Sequence, residues 1–178
     1  MHIKEIINGC IEKDAFAQKA LVHRYSGMLF TVSRRYVKDS HKAKDILQDS
    51  FIAIFDGMSS LKNHDALEGW MRRIVVHTAL RSFRGAKNKL EVVGIENTLE
   101  PHRAPSVFGK LGAESLINLI QQLPNGYREV FNLYVIEEFS HKEIAKTLGI
   151  EESSSRSQLA RARKMLQQQI LQKEKIAI

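Results

Sequence analysis

The chain of 178 residues has one cysteine, three prolines and one tryptophan. Cys10 stands alone, so no internal disulfide can form, and a reducing cytoplasm is the expected compartment. No apolar run approaches the roughly 18 residues that a membrane-spanning helix needs, so no membrane insertion is expected. The opening stretch MHIKEIINGCIEKD lacks the charged-then-apolar layout of a secretory signal. His2, His23, His41, His64, His77, His102 and His141 are scattered without metal-ligand spacing. Neither a GxxxxGK[ST] phosphate loop nor a G-x-S-x-G elbow occurs. These absences leave little for an enzyme, and no cofactor is implied.

What the chain does have is positive charge. A formal net charge of +7 and a pI near 9.6 point to a polyanionic partner, either nucleic acid or an anionic membrane surface. The charge is concentrated in two stretches. From Met71 to Lys89 lie Arg72, Arg73, Arg81, Arg84, Lys87 and Lys89, with no acidic residue. From Ser153 to Ile170 lie Arg156, Arg161, Arg163 and Lys164, again with none. Two separated basic faces suit a protein that touches nucleic acid at two places.

Helical periodicity dominates, with neither strand-like alternation nor internal repeats, so the expected fold is all-α. Residues 1–84 lack proline, whereas 85–113 hold two of the three prolines and four of the ten glycines. The pattern predicts two helical domains, 1–84 and 114–178, joined by a flexible linker at 85–113. In the first domain, Asp14 can cap a helix whose stripe is Phe16, Leu21, Tyr25, Met28, Leu29, Val32 and Tyr36. Asp39-Ser40 can cap a second, burying Ala43, Ile46, Leu47, Phe51, Ile54 and Phe55 and exposing Lys42, Asp45, Gln48 and Asp49. A polar loop at 59–65 leads to a third segment over 66–84, and a short helix before Asp14 completes the set. In the second domain, helices are expected over 116–123 and 127–136.

The stretch SHKEIAKTLGIEESSSRSQLARARKML, Ser140 to Leu166, is the most informative. Ile144, Ala145 and Leu148 give one short helix an apolar face, and Leu159, Ala162 and Leu166 give the next one theirs. Gly149 between them reaches positive φ at little steric cost. Two such helices form a helix-turn-helix (winged-helix-like) unit, whose second helix enters the DNA major groove. Ser157, Ala160, Arg161 and Lys164 share a face opposite the apolar one, and Arg156 lies near the helix start.

Three stretches then identify a resemblance: AKDILQDSFIAIF (Ala43 to Phe55), WMRRIVVHTALRSFR (Trp70 to Arg84) and LPNGYREVFNLYVIEEFSHKEIAKTLGI (Leu123 to Ile150). In this order and spacing they resemble the extracytoplasmic-function members of the bacterial sigma-70 family. The resemblance implies that the helix at Ala43 to Phe55 docks on core RNA polymerase through Asp45, Gln48 and Asp49, carboxylates suiting a basic partner surface. It implies that 66–84 recognises and melts the −10 promoter element, with Arg72, Arg73, Arg81 and Arg84 as phosphate contacts. The loop at 59–65 matches the family loop that receives a flipped base, and Trp70 reads as core. Arg156, Ser157, Ala160, Arg161 and Lys164, on a recognition helix over Ser153 to Met165 or slightly beyond, would face the −35 element. An anti-sigma partner is a further family expectation.

The sequence also departs from the family's pattern. Lys44 stands where an acidic residue is usual, His77 where asparagine is common and Arg81 where aspartate is common. Ser155 replaces the usual apolar residue, predicting looser packing at the start of the recognition helix. The competing reading is a free-standing helix-turn-helix regulator, which has no reason to keep the Asp45/Gln48/Asp49 face.

Overall fold

The computed structural model describes residues 2–84 and 112–176, which fall into two compact units of helices. The expected linker at 85–113 lies almost wholly outside the described residues. No strand occurs among the described residues, so no β-wing accompanies the helix-turn-helix there.

In the first unit the four helices are α1 (Ile3–Ile11), α2 (Ala15–Tyr36), α3 (Ser40–Gly57) and α4 (Leu67–Arg84). The starts of α2 and α3 follow from side-chain acceptors. Asp14 accepts from the Ala17 amide at 2.7 Å to open α2, and Asp39 accepts from the His41 amide at 2.8 Å to open α3. Between α3 and α4 the expected polar loop is built from two single 3₁₀ turns, Met58–Ser60 and His64–Ala66, and Leu61 between them is buried. α1 packs on α2, α2 on α3 and α4, and α3 on α4, around Ile7, Leu21, Leu29, Tyr36, Ile54, Met71 and Leu80.

One member of the expected α2 stripe is misplaced: Phe16 is 70% exposed. In its first half α2 buries Ala17, Leu21, Tyr25 and Leu29 at a four-residue spacing, continued by Val32, Ser33, Arg35 and Tyr36, and Phe16 lies about 100° around the helix from Ala17. Ala17 takes the inward place because α1 comes so close. A methyl group added at Gly9 would stand 2.5 Å from the Ala17 Cβ, which only glycine avoids. Trp70 is core, as expected, at 4% exposure, and Gly57 lies against its ring. Cys10 is fully buried, and burial, followed by the neighbouring Asp14 carboxylate, pushes its thiol pKa up.

The second unit comprises α5 (Ala113–Gln121), α6 (Asn125–Phe131), α7 (His141–Leu148) and α8 (Glu152–Ile176). α6 continues into one π-turn over Asn132–Ile136. α5, α6 and α7 all pack on α8, burying Ile120, Phe131, Ile144, Leu148, Leu159, Ala162 and Leu166. Sequence reasoning missed Arg128, which is 3% exposed. Its guanidinium donates to the carbonyls of Gln121 (3.2 Å) and Leu123 (3.4 Å) and to Asn125 Oδ1 (2.6 Å). It thereby satisfies carbonyls left open where α5 ends. Burial lowers its pKa, although a guanidinium stays protonated at any ordinary pH.

The α1–α2 contact yields a paired test. Gly9→Ala should destabilise the first unit by about 1–3 kcal/mol through overpacking. Gly27→Ala, an exposed α2 position with nothing within 4 Å of the added methyl, should stabilise it by about 0.5–1 kcal/mol. Trp70 fluorescence during urea unfolding reads both, because the sole tryptophan sits in this unit.

Candidate nucleic-acid interface

The helix-turn-helix is built by local chemistry. The Ser140 hydroxyl accepts from the Glu143 amide at 3.2 Å, while the Glu143 carboxylate accepts from the Ser140 amide at 2.7 Å, a reciprocal capping box that opens α7. Gly149 closes α7 at φ 63°, ψ 39°, where its missing Cβ avoids strain. The Ile150 amide then donates to the Ala145 carbonyl at 3.1 Å, and α8 begins. α8 runs from Glu152 to Ile176, and the expected recognition helix, Ser153 to Met165 or slightly beyond, is its first part.

Leu159, Ala162 and Leu166 are buried, which turns the opposite side of α8 outward. Arg156, Ser157, Ala160, Arg161 and Lys164 are all exposed there. Several are already engaged: Arg156 pairs with Glu152 at 2.8 Å, Ser157 donates to the Ser154 carbonyl at 3.0 Å, and Arg161 donates to the Tyr127 hydroxyl at 3.3 Å. Glu152, just upstream of the acid-free stretch, tempers the charge at the helix start.

Ser155 behaves differently from expectation. It is fully buried, and its hydroxyl bonds His141 Nδ1 at 2.8 Å, so polarity there is answered by a partner and not by loose packing. The His141 ring stacks on Tyr134, 4.4 Å between centroids and 24° between planes. Arg163 lies 5.8 Å from the Tyr134 ring centroid, in cation–π range. Burial, then Arg156, lower the His141 pKa, with Arg163 adding to them and Glu152 opposing.

In the first unit Arg72, Arg73 and Arg81 do not share one face of α4. Arg73 and Arg81 are eight residues apart and lie on one side of α4, with His77 between them. Arg72 lies about 180° from Arg81 by helical geometry. Arg72 is half-buried, and its Nε is buried without a hydrogen-bond partner among the described atoms. Arg84 ends α4, and its side chain lies outside the described ones. On α3, Asp45, Gln48 and Asp49 are exposed while Ala43, Ile46, Ser50, Phe51 and Ile54 face inward. Ile52, 60% exposed on that same outer face, escaped sequence reasoning because an isoleucine in an apolar-rich helix reads as core. In the turns before α4, Asn63 Oδ1 accepts from the Asp65 amide at 3.0 Å, and Lys62 and Asn63 are exposed.

No group of three or more metal-ligating side chains occurs among the described residues, and no helix there is long and apolar enough to cross a membrane. A helix-turn-helix with a basic outer face defines a DNA-binding protein as the class. Comparison with known proteins sharpens this. Residues 21–89 match the family described as Sigma-70 region 2, and residues 113–166 match Sigma-70, region 4. The ECF RNA polymerase sigma factor SigW of Bacillus subtilis (strain 168) is 28% identical over 181 residues, 94% of this chain and 94% of its own length. The ECF RNA polymerase sigma factor SigM of the same organism is 27% identical over 131 residues, 72% of this chain and 80% of its own length. Among solved structures, that of CnrH in complex with the cytosolic domain of CnrY aligns over 93% of this chain and 94% of that one, at 20% identity and a TM-score of 0.48. The chain belongs to the extracytoplasmic-function subfamily of the sigma-70 family, and its function is to direct RNA polymerase to promoters.

His77 gives a test in pH. Burial first, and then Arg73, hold its pKa below the ordinary 6.5. The unfolded chain therefore takes up a proton at a pH where the folded one resists it. That contribution to stability is complete above about pH 6.5 and is lost as pH falls through the folded value. The urea midpoint followed by Trp70 fluorescence should hold steady from about pH 8 to 7 and fall below about 6.5, and His77→Asn should make that fall shallower.

Proposed function

We propose that the two units divide promoter recognition between them. The outer face of α3, with Asp45, Gln48 and Asp49, docks on a basic surface of core RNA polymerase. α4 holds the −10 region, with Arg73 and Arg81 on the strand backbone beside His77. Arg72, on another side of α4, contributes from its own position or through packing, and Arg84 extends the basic run towards the 85–113 segment. Aromatic capture of unstacked bases, which Trp70 is too buried to provide, falls to other groups around the −10 site. α8 reads the −35 element with Arg156, Ser157, Ala160, Arg161 and Lys164. The chain contributes binding and positioning, and the nucleotide chemistry belongs to polymerase.

The observation that carries this reading is the outward face of α8, which is exposed along its length while Leu159, Ala162 and Leu166 are buried behind it. A major-groove reader needs such a face on a helix that cannot roll. A bidentate arginine–guanine pair would supply about 1–3 kcal/mol of discrimination, whereas a phosphate contact adds affinity alone. The acidic face of α3, on a chain of net charge +7, is the feature that favours a polymerase partner over a free-standing regulator.

We further propose that an anti-sigma protein covers the free chain, since Phe16, Ile52 and Ile11 stay 70%, 60% and 43% exposed. Pull-downs from unstressed cells should recover a stoichiometric inhibitor; recovery of polymerase with no inhibitor would refute this partner. For the main reading, run-off transcription with core polymerase should give new discrete transcripts sharing an upstream sequence pair. Arg161→Ala should lower −35-dependent initiation by roughly 5- to 100-fold with polymerase binding intact. Asp49→Lys should impair polymerase binding while sparing DNA affinity. DNA binding without any transcript would instead favour the free-standing regulator.

A further inference from the structure

His141 sits where three elements meet. It is the first residue of α7, fixed at that end by the Ser140–Glu143 capping box. One face of its ring lies on Tyr134 of the π-turn, and its Nδ1 bonds Ser155 in the first turn of α8. Ser33, Ser50, Ser82 and Ser157 send their hydroxyls to carbonyls of their own helices. Ser155 instead reaches across to another helix, at a position with no exposure to water. Eight residues further along α8, Arg163 lies over the same Tyr134 ring that His141 stacks on. α8 is therefore held at two points, about 12 Å apart along its axis, by one stacked pair of rings.

Two anchors on one side of a helix resist its rotation about its own axis. For side-chain tips about 6 Å from the axis, a 20° roll moves each by about 2 Å. Hydrogen bonds to base edges are lost over that distance, since donor and acceptor must sit within about 2.7–3.2 Å. Attraction between a long cationic side chain and a phosphate tolerates the same displacement. The roll of α8 thus governs sequence discrimination more than overall DNA affinity.

We propose that His141, Ser155 and Tyr134 form a clasp that sets the roll of α8 and so determines the upstream sequence the chain selects, with His141 as a positioning residue. This rests on the reading of α8 as the −35 reader. The clasp requires a hydroxyl at 155 and an imidazole at 141 together. A chain with an apolar residue at 155 would seat the helix by packing alone.

The test is selection by the full-length chain bound to core polymerase, from duplexes randomised across the upstream element. The wild-type chain should recover one motif. Ser155→Ala and His141→Phe, the latter keeping an aromatic ring over Tyr134, should recover motifs degenerate at one or more base pairs. Their preference for the wild-type motif over a scrambled duplex should fall about fivefold, with binding to the scrambled duplex unchanged. Ser155→Thr, which retains the hydroxyl, should restore the wild-type motif, and the double variant His141→Phe/Ser155→Ala should be no worse than either single one. Variants that fold and select the unchanged motif would overturn the clasp. Parallel loss of specific and non-specific binding would overturn it too, by reducing it to a fold-stabilising contact. A wild-type chain that selects no upstream motif would sink the −35 reading itself, and the clasp with it.

Discussion

The outward face of α8 in the second unit depends on the burial of one narrow stripe. Leu159, Ala162 and Leu166 are pressed against α5, α6 and α7, and once they are inward the outward residues of α8 are decided by geometry. The short helices serve that end. α7 is too short to be stable in isolation, yet its capping box, its left-handed glycine and its buried Ile144 and Leu148 hold it as a shelf under α8. Arg128 ties the end of α5 to the start of α6 from within, so the shelf has a polar bolt as well as an apolar floor.

The first unit follows the same rule with a different outcome. α3 buries Ala43, Ile46, Ser50, Phe51 and Ile54 and thereby presents an acidic side on a basic protein. α4 is more deeply embedded, and its arginines are distributed around it according to which residues the core claims. α3 thus exposes an acidic face while α4 and α8 carry basic residues, which suits one partner that is protein and another that is nucleic acid.

Much of this was legible in the sequence because it is set locally. Asp14, Asp39, Ser140 and Gly149 mark helix boundaries through bonds or backbone angles spanning three or four residues. The exposed faces of α3 and α8 followed from period 3.6 alone. Features that depend on a neighbouring helix were not legible. Phe16 belongs to an apolar stripe by composition, but the approach of Gly9 gives the inward place to Ala17. Ser155 reads as a flaw until His141, fourteen residues earlier, is found 2.8 Å away. The inward role of Arg128 was not legible because nothing local shows that α5 ends beside it.

The buried Cys10 has a consequence for how this chain meets oxidants and thiol reagents. Only the thiolate reacts readily, and here burial both hides the sulfur and disfavours its ionisation. The chain's single sulfhydryl is therefore silent in the folded state, neither a redox sensor nor a site for accidental cross-linking between copies. It would become reactive when α1 separates from α2, so its rate of alkylation is a clock for the opening of that helix pair.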